Sequence, residues 1–206
     1  MSEFERWETR FAGVDYAFGT APNAFLAACK TLLPASGRAL AIADGEGRNG
    51  VWLAQQGLQV LSLDFSPSGQ RKAKALAGAR GVDVAFELAD AHVWAYPESA
   101  FDVVVEIFGQ FSPPAERARK WAGMRKALKP GGLLIIQGYT PKQLEYGTGG
   151  PKQIENLYTR ALLEEAFRGY RDMTIAEDEV ELREGTSHAG MSAVINFTAR
   201  KPPRPQ

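Results

Sequence analysis

The chain has 206 residues, 45% of them apolar, which suits one α/β domain with a full core. Its 24 lysines and arginines balance 24 aspartates and glutamates, so it lacks the basic excess of a polyanion-binding surface, and no nucleic-acid partner is expected. The one cysteine, Cys29, excludes an intramolecular disulfide framework and argues against a thiolate metal site. No charged leader is read at the start and no apolar stretch nears the length of a membrane span, so the expected setting is the cytoplasm with no membrane partner.

The first segment, 4–19, mixes aromatic and charged residues ahead of the first clear strand. Residues 23–33 read as a short helix broken by Pro34, Ser36 and Gly37. The apolar run 38–43 predicts a buried strand, 49–56 a helix ended by Gly57, 60–64 a strand and 67–79 a helix with Gly81 beyond it. Strands follow at 84–88 and 102–107, then a helix over 114–128 closed by Lys129-Pro130-Gly131-Gly132, and a strand at 133–137. A helix at 161–167 and two late strands, 175–183 and 192–198, complete the pattern. Such alternation implies a mostly parallel sheet with helices on both faces. The stretch 139–151 carries Gly147, Gly149 and Gly150 and two prolines, and a loop of that size is either functional or disordered.

The sharpest chemical signal is Ala43-Asp44-Gly45-Glu46-Gly47-Arg48-Asn49, directly after the first strand. Gly45 and Gly47 permit a tight turn and close approach of a ligand to the backbone. In open α/β sheets that place lies beyond the carboxyl ends of the strands, where ligands bind. With Gly50 the string formally matches GxGxxG, so a nicotinamide oxidoreductase stays open beside an ordinary strand-to-helix turn. Asp64 closes the second strand, followed by Phe65 and Ser66; its carboxylate is placed to accept both hydroxyls of a ribose. Asp90, next to Ala91, is a candidate for an adenine amine or for a turn. Glu106, ending an apolar strand, is read as a group at the site's edge, because an unpaired buried carboxylate is costly.

Together these segments resemble class I S-adenosylmethionine-dependent methyltransferases, and the Gly45-Glu46-Gly47-Arg48-Asn49 turn resembles the version in the tellurite-resistance and thiopurine methyltransferase-like bacterial group. The Asp64-Phe65-Ser66 segment, the Asp90-Ala91 pair and Lys129-Pro130-Gly131-Gly132 before a strand carry the likeness further. The resemblance implies a Rossmann-like seven-stranded sheet whose last two strands form a reversed hairpin. The expected division is an N-terminal lid or substrate-proximal segment (1–24), a methyltransferase domain (25–200) and, from its proline-rich polar composition, a flexible tail (201–206). The resemblance implies S-adenosyl-L-methionine as cofactor, with methionine near Gly45 and Gly47, ribose on Asp64 and adenine near Asp90 and Ala91. The acidic residue usual in the first strand is here Ala41; Asp44 and Glu46 stand nearby instead.

A sulfonium donor needs mainly a partner held in line and water kept out. The expected acceptor is a small molecule, with a thiol, thiopurine-like ring or metalloid oxyanion suggested by the subgroup. Tyr16, Phe18, Ile107, Gln110, Phe111, Tyr139 and Tyr146 are candidate pocket walls or lid and core packing, and Trp7 and Arg10 candidate lid residues. Tyr16, Tyr139 and His188 are the candidate catalytic groups; His188 is either a base or a turn histidine. No metal motif and no nucleophile elbow occurs. An RNA or protein methyltransferase and a non-enzymatic nucleoside-binding regulator are the further readings, and oligomeric state is left open.

Overall fold

The computed structural model describes residues 2–185 and 187–203. Its seven strands are β1 (Arg38–Ile42), β2 (Gln59–Asp64), β3 (Val84–Leu88), β4 (Phe101–Ile107), β5 (Leu128–Tyr139), β6 (Arg171–Glu184) and β7 (His188–Arg200). They form one sheet in the order β3-β2-β1-β4-β5-β7-β6. Pairing is parallel from β3 through β5, whereas β7 runs antiparallel to both neighbours. The reversed strand departs from the all-parallel order of dinucleotide-binding sheets. The expected seven-stranded architecture and its terminal hairpin are therefore present.

Among the described residues seven α-helices accompany the sheet: α1 (Glu3–Phe11), α2 (Ala24–Ala28), α3 (Arg48–Gln55), α4 (Pro67–Arg80), α5 (Pro114–Ala127), α6 (Gln143–Tyr146) and α7 (Arg160–Ala166). Helix α4 starts where Ser66 caps the Gly69 N–H and Pro67 presets the first turn, and it stops at Gly81 in the left-handed region. Helix α1, which the sequence reading leaves as an unassigned segment, opens with a capping box: the Ser2 hydroxyl accepts from the Glu5 N–H, and the Glu5 carboxylate accepts from the Ser2 N–H.

Alternation along the strands splits the core in two. Leu40, Ile42, Val104, Leu134 and Ile136 face Trp121, Met124 and Phe167 on one side. Ala39, Ala41, Val103, Val105 and Ile135 face Leu26 and Leu53 on the other. Ala41, where the resemblance leads one to look for an acid, is thus ordinary core. Both faces are covered, as the uniformly apolar central strands require.

Chain order reverses between β1 and β4, which opens a crevice at their carboxyl ends. The stretch after β5 is built, not loose: it carries α6, and Gln143 accepts from the Ala193 N–H at 2.8 Å while donating to Thr148 and to the Gly149 carbonyl. At the chain's end Lys201 donates to the carbonyls of Arg125 and Leu128, and residues 204–206 of the expected tail lie outside the described residues. Among the described residues no helix is long and apolar enough to cross a membrane.

Candidate active site

The turn after β1 is held from below by buried carboxylates. Asp44 turns inward, accepting from the Ser62 hydroxyl at 2.7 Å and from the Gly50 N–H at 3.1 Å. A Cβ on Gly50 would lie 2.4 Å from that carboxylate, so this third glycine serves the packing of α3 on Asp44. Burial pushes the Asp44 carboxyl up to about 7. Gly47 takes φ +83, and a Cβ there would meet Ala73 of α4 at 2.5 Å, so the turn tolerates only glycine.

Asp64 bridges two turns, accepting from the Gly45 N–H and the Ser66 N–H, each at 2.8 Å. Burial pushes its carboxyl up to about 6, against the pull of these N–H groups. Each oxygen keeps further lone-pair capacity for a ligand hydroxyl.

A cavity of about 60 Å³ sits on this turn, lined by Asp44, Gly45, Asn49, Asp64 and Phe65 among others. Its roof is helix α1 with the segment after it, contributing Trp7, Phe11 and Phe18. Glu8 latches α1 onto the start of α4, accepting from the hydroxyls of Ser66 and Ser68 and from the Ser68 N–H. Those contacts hold its carboxyl below the ordinary range despite burial.

A second cavity of about 320 Å³ adjoins the first. Trp7, Phe108, Phe111 and His188 line both. Phe108 leaves β4 at φ +54, a left-handed conformation that places its ring 4.5 Å from Tyr139 and 4.4 Å from His188. Gln110 locks the loop by donating to the Tyr139 carbonyl and accepting from the Tyr139 N–H.

His188 begins β7, wedged between Phe18 and Phe108 with ring centroids at 4.3 and 4.4 Å. Its Nδ1 lies 3.7 Å from Glu184, beyond hydrogen-bond reach, and among the described residues this buried atom has no hydrogen-bond partner. Burial holds the imidazole below its ordinary value, so it is neutral at pH 7. Glu184 answers to Arg48 at 2.6 Å and to the N–H groups of Asn23 and Ala24. Although burial raises it, Arg48 and the Ala24 N–H pull its carboxyl down to about 2. The turn joining β6 to β7 is seated by Ser187, whose N–H donates to the Ala17 carbonyl; Thr186 lies outside the described residues.

The structure thus gathers Asp44, Gly45, Asn49, Asp64 and Phe65 at one cavity, Tyr139 at the other, and His188 at both. Gly47 and Ser66 support it from behind, and Glu46 pairs with Lys72 at 2.8 Å beneath the turn. Of the candidate walls, Phe18 and Ile107 line the first cavity, Gln110 the second and Phe111 both.

Other candidates lie elsewhere. Asp90 is exposed and accepts from the His92 N–H at 2.8 Å, the turn alternative, while Ala91 is buried and its carbonyl accepts from Tyr96. Glu106 is corrected most sharply. It is fully buried and fully paired, with Lys120 at 2.6 Å, the Trp121 indole at 2.7 Å and the Tyr158 hydroxyl at 2.9 Å. The premise that it must reach a site edge fails because its partners come from α5 and the segment before α7. Tyr16 donates to the Lys72 carbonyl at 3.0 Å and lines neither cavity; Tyr146 bonds Glu179 at the surface. Sequence reasoning missed Glu8, Phe11, Phe108 and Glu184; only the capping box of α1 signalled any of these elements.

A methyltransferase-domain family matches residues 39–132, the span from β1 to the turn within β5. A demethylmenaquinone methyltransferase of Thermus thermophilus is 32% identical over 138 residues, 66% of this chain and 55% of that protein. The chain spans about half the length of the curated relatives it matches. Among solved structures, the N-methyltransferase NodS of Bradyrhizobium japonicum, in complex with S-adenosylhomocysteine, superposes at TM-score 0.71 with 15% identity, over 97% of this chain and 98% of that one. TehB of Haemophilus influenzae gives 0.67 with 16% identity, over 86% and 61%. The reversed β7, the glycine turn and Asp64 at the tip of β2 thus accompany a methyltransferase-domain match that runs over residues 39–132, from β1 into β5.

Proposed function

We propose that this protein transfers a methyl group from S-adenosylmethionine to a small molecule held in the second cavity, with His188 as the base that accepts the acceptor's proton. The observation that carries the reading is the shared wall: Trp7, Phe108, Phe111 and His188 face both cavities, so ligands in the two would meet there. The chain's own groups fit a nucleoside sulfonium. Asp64 has lone pairs left for a ribose diol, Gly45 lets the backbone approach, and the buried Trp7 Nε1 lacks a partner among the described residues.

When bound, S-adenosylmethionine supplies a methyl group on a positively charged sulfur, which leaves as the neutral thioether S-adenosylhomocysteine. The aromatic wall excludes water from the junction. His188, neutral at pH 7, takes the proton of a hydroxyl, thiol or amine nucleophile as its bond to carbon forms. Tyr139, whose hydroxyl burial pushes well above the usual phenol range, stays protonated and serves as a hydrogen-bond donor. Helix α1 is the lid: the cavity beneath it, at about 60 Å³, falls far below the roughly 300 Å³ of small ligand pockets. Admission of the cofactor therefore requires Phe11 to lift from Gly45 and Glu8 to release Ser66 and Ser68.

The test separates the two roles. His188→Ala lowers turnover by about a hundredfold, the usual size of a general-base effect, while S-adenosylhomocysteine affinity by calorimetry changes less than about threefold. Equal losses in both would assign His188 to cofactor binding, and the absence of S-adenosylhomocysteine binding to the unaltered protein would overturn the reading as a whole.

A further inference from the structure

We infer that the acceptor is a flat, ring-bearing organic anion, its charge held by Arg6 and Arg10 and its nucleophilic atom at His188. The inference rests on the methyl-transfer reading and deepens it.

Among the described residues twelve line the larger cavity, and none of these is acidic. Two are arginines one helical turn apart on α1, hence on the same face. Both guanidinium groups lie over the Trp7 ring, at 5.4 and 5.0 Å. Arg6 has only a half-exposed pair with Glu3, at 2.8 Å, which is weak. Arg10 makes no ion pair among the described residues, and burial and the nearby Arg6 charge hold it below the usual guanidinium range. The one carboxylate of α1 that points at the core, Glu8, is taken up by Ser66 and Ser68. Two like charges at the mouth of a cavity whose described lining holds no carboxylate repel each other until an anion enters. Guanidinium forks suit the planar oxygens of a carboxylate or phosphate.

The remaining walls describe the body of the ligand. Phe108 and Tyr139 stack at 4.5 Å and 30°, and Phe111 and Trp7 complete an aromatic slot. Aromatic faces favour a flat ring. Polarity along the cavity fixes the orientation: Arg6 and Arg10 line only the larger cavity, whereas His188 lies at its junction with the cofactor cavity. The anionic end therefore points away from the cofactor and the reacting atom toward it.

Benzoate, its neutral isostere benzamide, benzylamine and inorganic phosphate are titrated by calorimetry into the purified protein, alone and saturated with S-adenosylhomocysteine. Benzoate is expected to bind at least about tenfold tighter than benzamide, a difference of ~1.4 kcal/mol, and benzylamine weakest. The double variant Arg6→Gln, Arg10→Gln abolishes that preference and leaves benzamide within about twofold, as expected for lost charge-assisted contacts. Both arginines are surface residues, and a thermal melt verifies that the variant is folded. Equal affinity for benzoate and benzamide, benzoate binding undiminished in the variant, or no benzoate binding at tens of millimolar overturns the inference. Phosphate binding more tightly than benzoate overturns the ring-bearing body. Binding of S-adenosylhomocysteine is read separately in the same experiment, so a failed cofactor reading and a failed anion site give different results.

Discussion

The two cavities that meet at His188 are built by opposite means. The first stands on strand ends: Asp44, Asp64 and the glycine turn are fixed by the register of β1, β2 and β4 and by the N–H groups of Gly45, Gly50 and Ser66. The second adds to the end of β5 the loop after β4, α1, the segment after β5, and the turn between β6 and β7. The sheet's register fixes the first, and packing between distant segments fixes the second. A fold arranged so can keep one donor site while its acceptor site changes with its loops.

The junction between them depends on one buried cation, and removing it should break the contrast most severely. Lys120 pairs with Glu106 at 2.6 Å, donates to the Gly109 carbonyl at 2.5 Å, and lies 4.8 Å from the Phe111 ring. It therefore ties the rigid end of β4 to the loop that forms the shared wall. Lys120→Met leaves the Glu106 carboxyl without its partner in a fully buried site, which costs about 3–5 kcal/mol. For a chain of this length the melting temperature should fall by about 6–20 °C. Adding Glu106→Gln should recover part of the loss by replacing the orphaned carboxyl. A melt unchanged by Lys120→Met would show that the wall is held by the aromatic packing alone.

Legibility in the sequence followed the same division. Strand runs and the glycine turn are local patterns, and they located β1, β2, β4 and the first cavity, with Asp64 at its edge. Glu106 was misplaced because its partners are Lys120, Trp121 and Tyr158, fourteen residues or more along the chain, and pairing at such distance leaves no periodic trace. Asp90 was ambiguous for a related reason: an aspartate after a strand can hold a turn, as it does through the His92 N–H, and still have lone pairs for a ligand. Helix α1 was legible in principle, since Ser2 and Glu5 stand at capping-box spacing, but its aromatic and charged mixture obscured the helical face. Glu184 lay hidden in a charged strand, because its role depends on Arg48 and Asn23 arriving from the other end of the chain.

Asp64 sharpens the contrast from the cofactor side. Asp64→Asn removes a charged acceptor worth about 1.5–3 kcal/mol, so S-adenosylhomocysteine should bind roughly tenfold to a hundredfold more weakly. The pH dependence carries an independent signature. The Asp64 carboxyl titrates near 6, with Asp44 near 7 beside it and Glu8 facing it from α1. Ionised Asp64 is the better acceptor, so affinity should rise as pH increases through 6. Stability of the ligand-free protein should run the other way: a carboxyl raised by folding favours the folded state at low pH, and that contribution is lost as pH rises through its folded value. Glu184, held near 2, loses its stabilisation only in stronger acid, below this window. Calorimetry and melts between pH 5 and 8 read both trends. Affinity that falls with pH would remove Asp64 from the ribose role.

The smallest expected effect tests whether the first cavity is as strainless as its framework is rigid. Ala43 precedes Asp44 at φ +51, in the left-handed region where an L-residue is disfavoured by about 1 kcal/mol. Glycine adopts that conformation freely but gives up more entropy on folding, which offsets roughly half of the gain. Ala43→Gly should therefore stabilise the protein by about 0.5 kcal/mol and raise the melting temperature by about 1–2 °C. The position also lines the first cavity, so removing its methyl group bears on ligand contact as well. A small rise in melting temperature with unchanged S-adenosylhomocysteine affinity would mean that the strain at Ala43 serves neither folding nor binding. A rise accompanied by weaker binding would mean that the methyl group shapes the floor of the cofactor cavity, and that the turn tolerates its strain for the sake of the ligand.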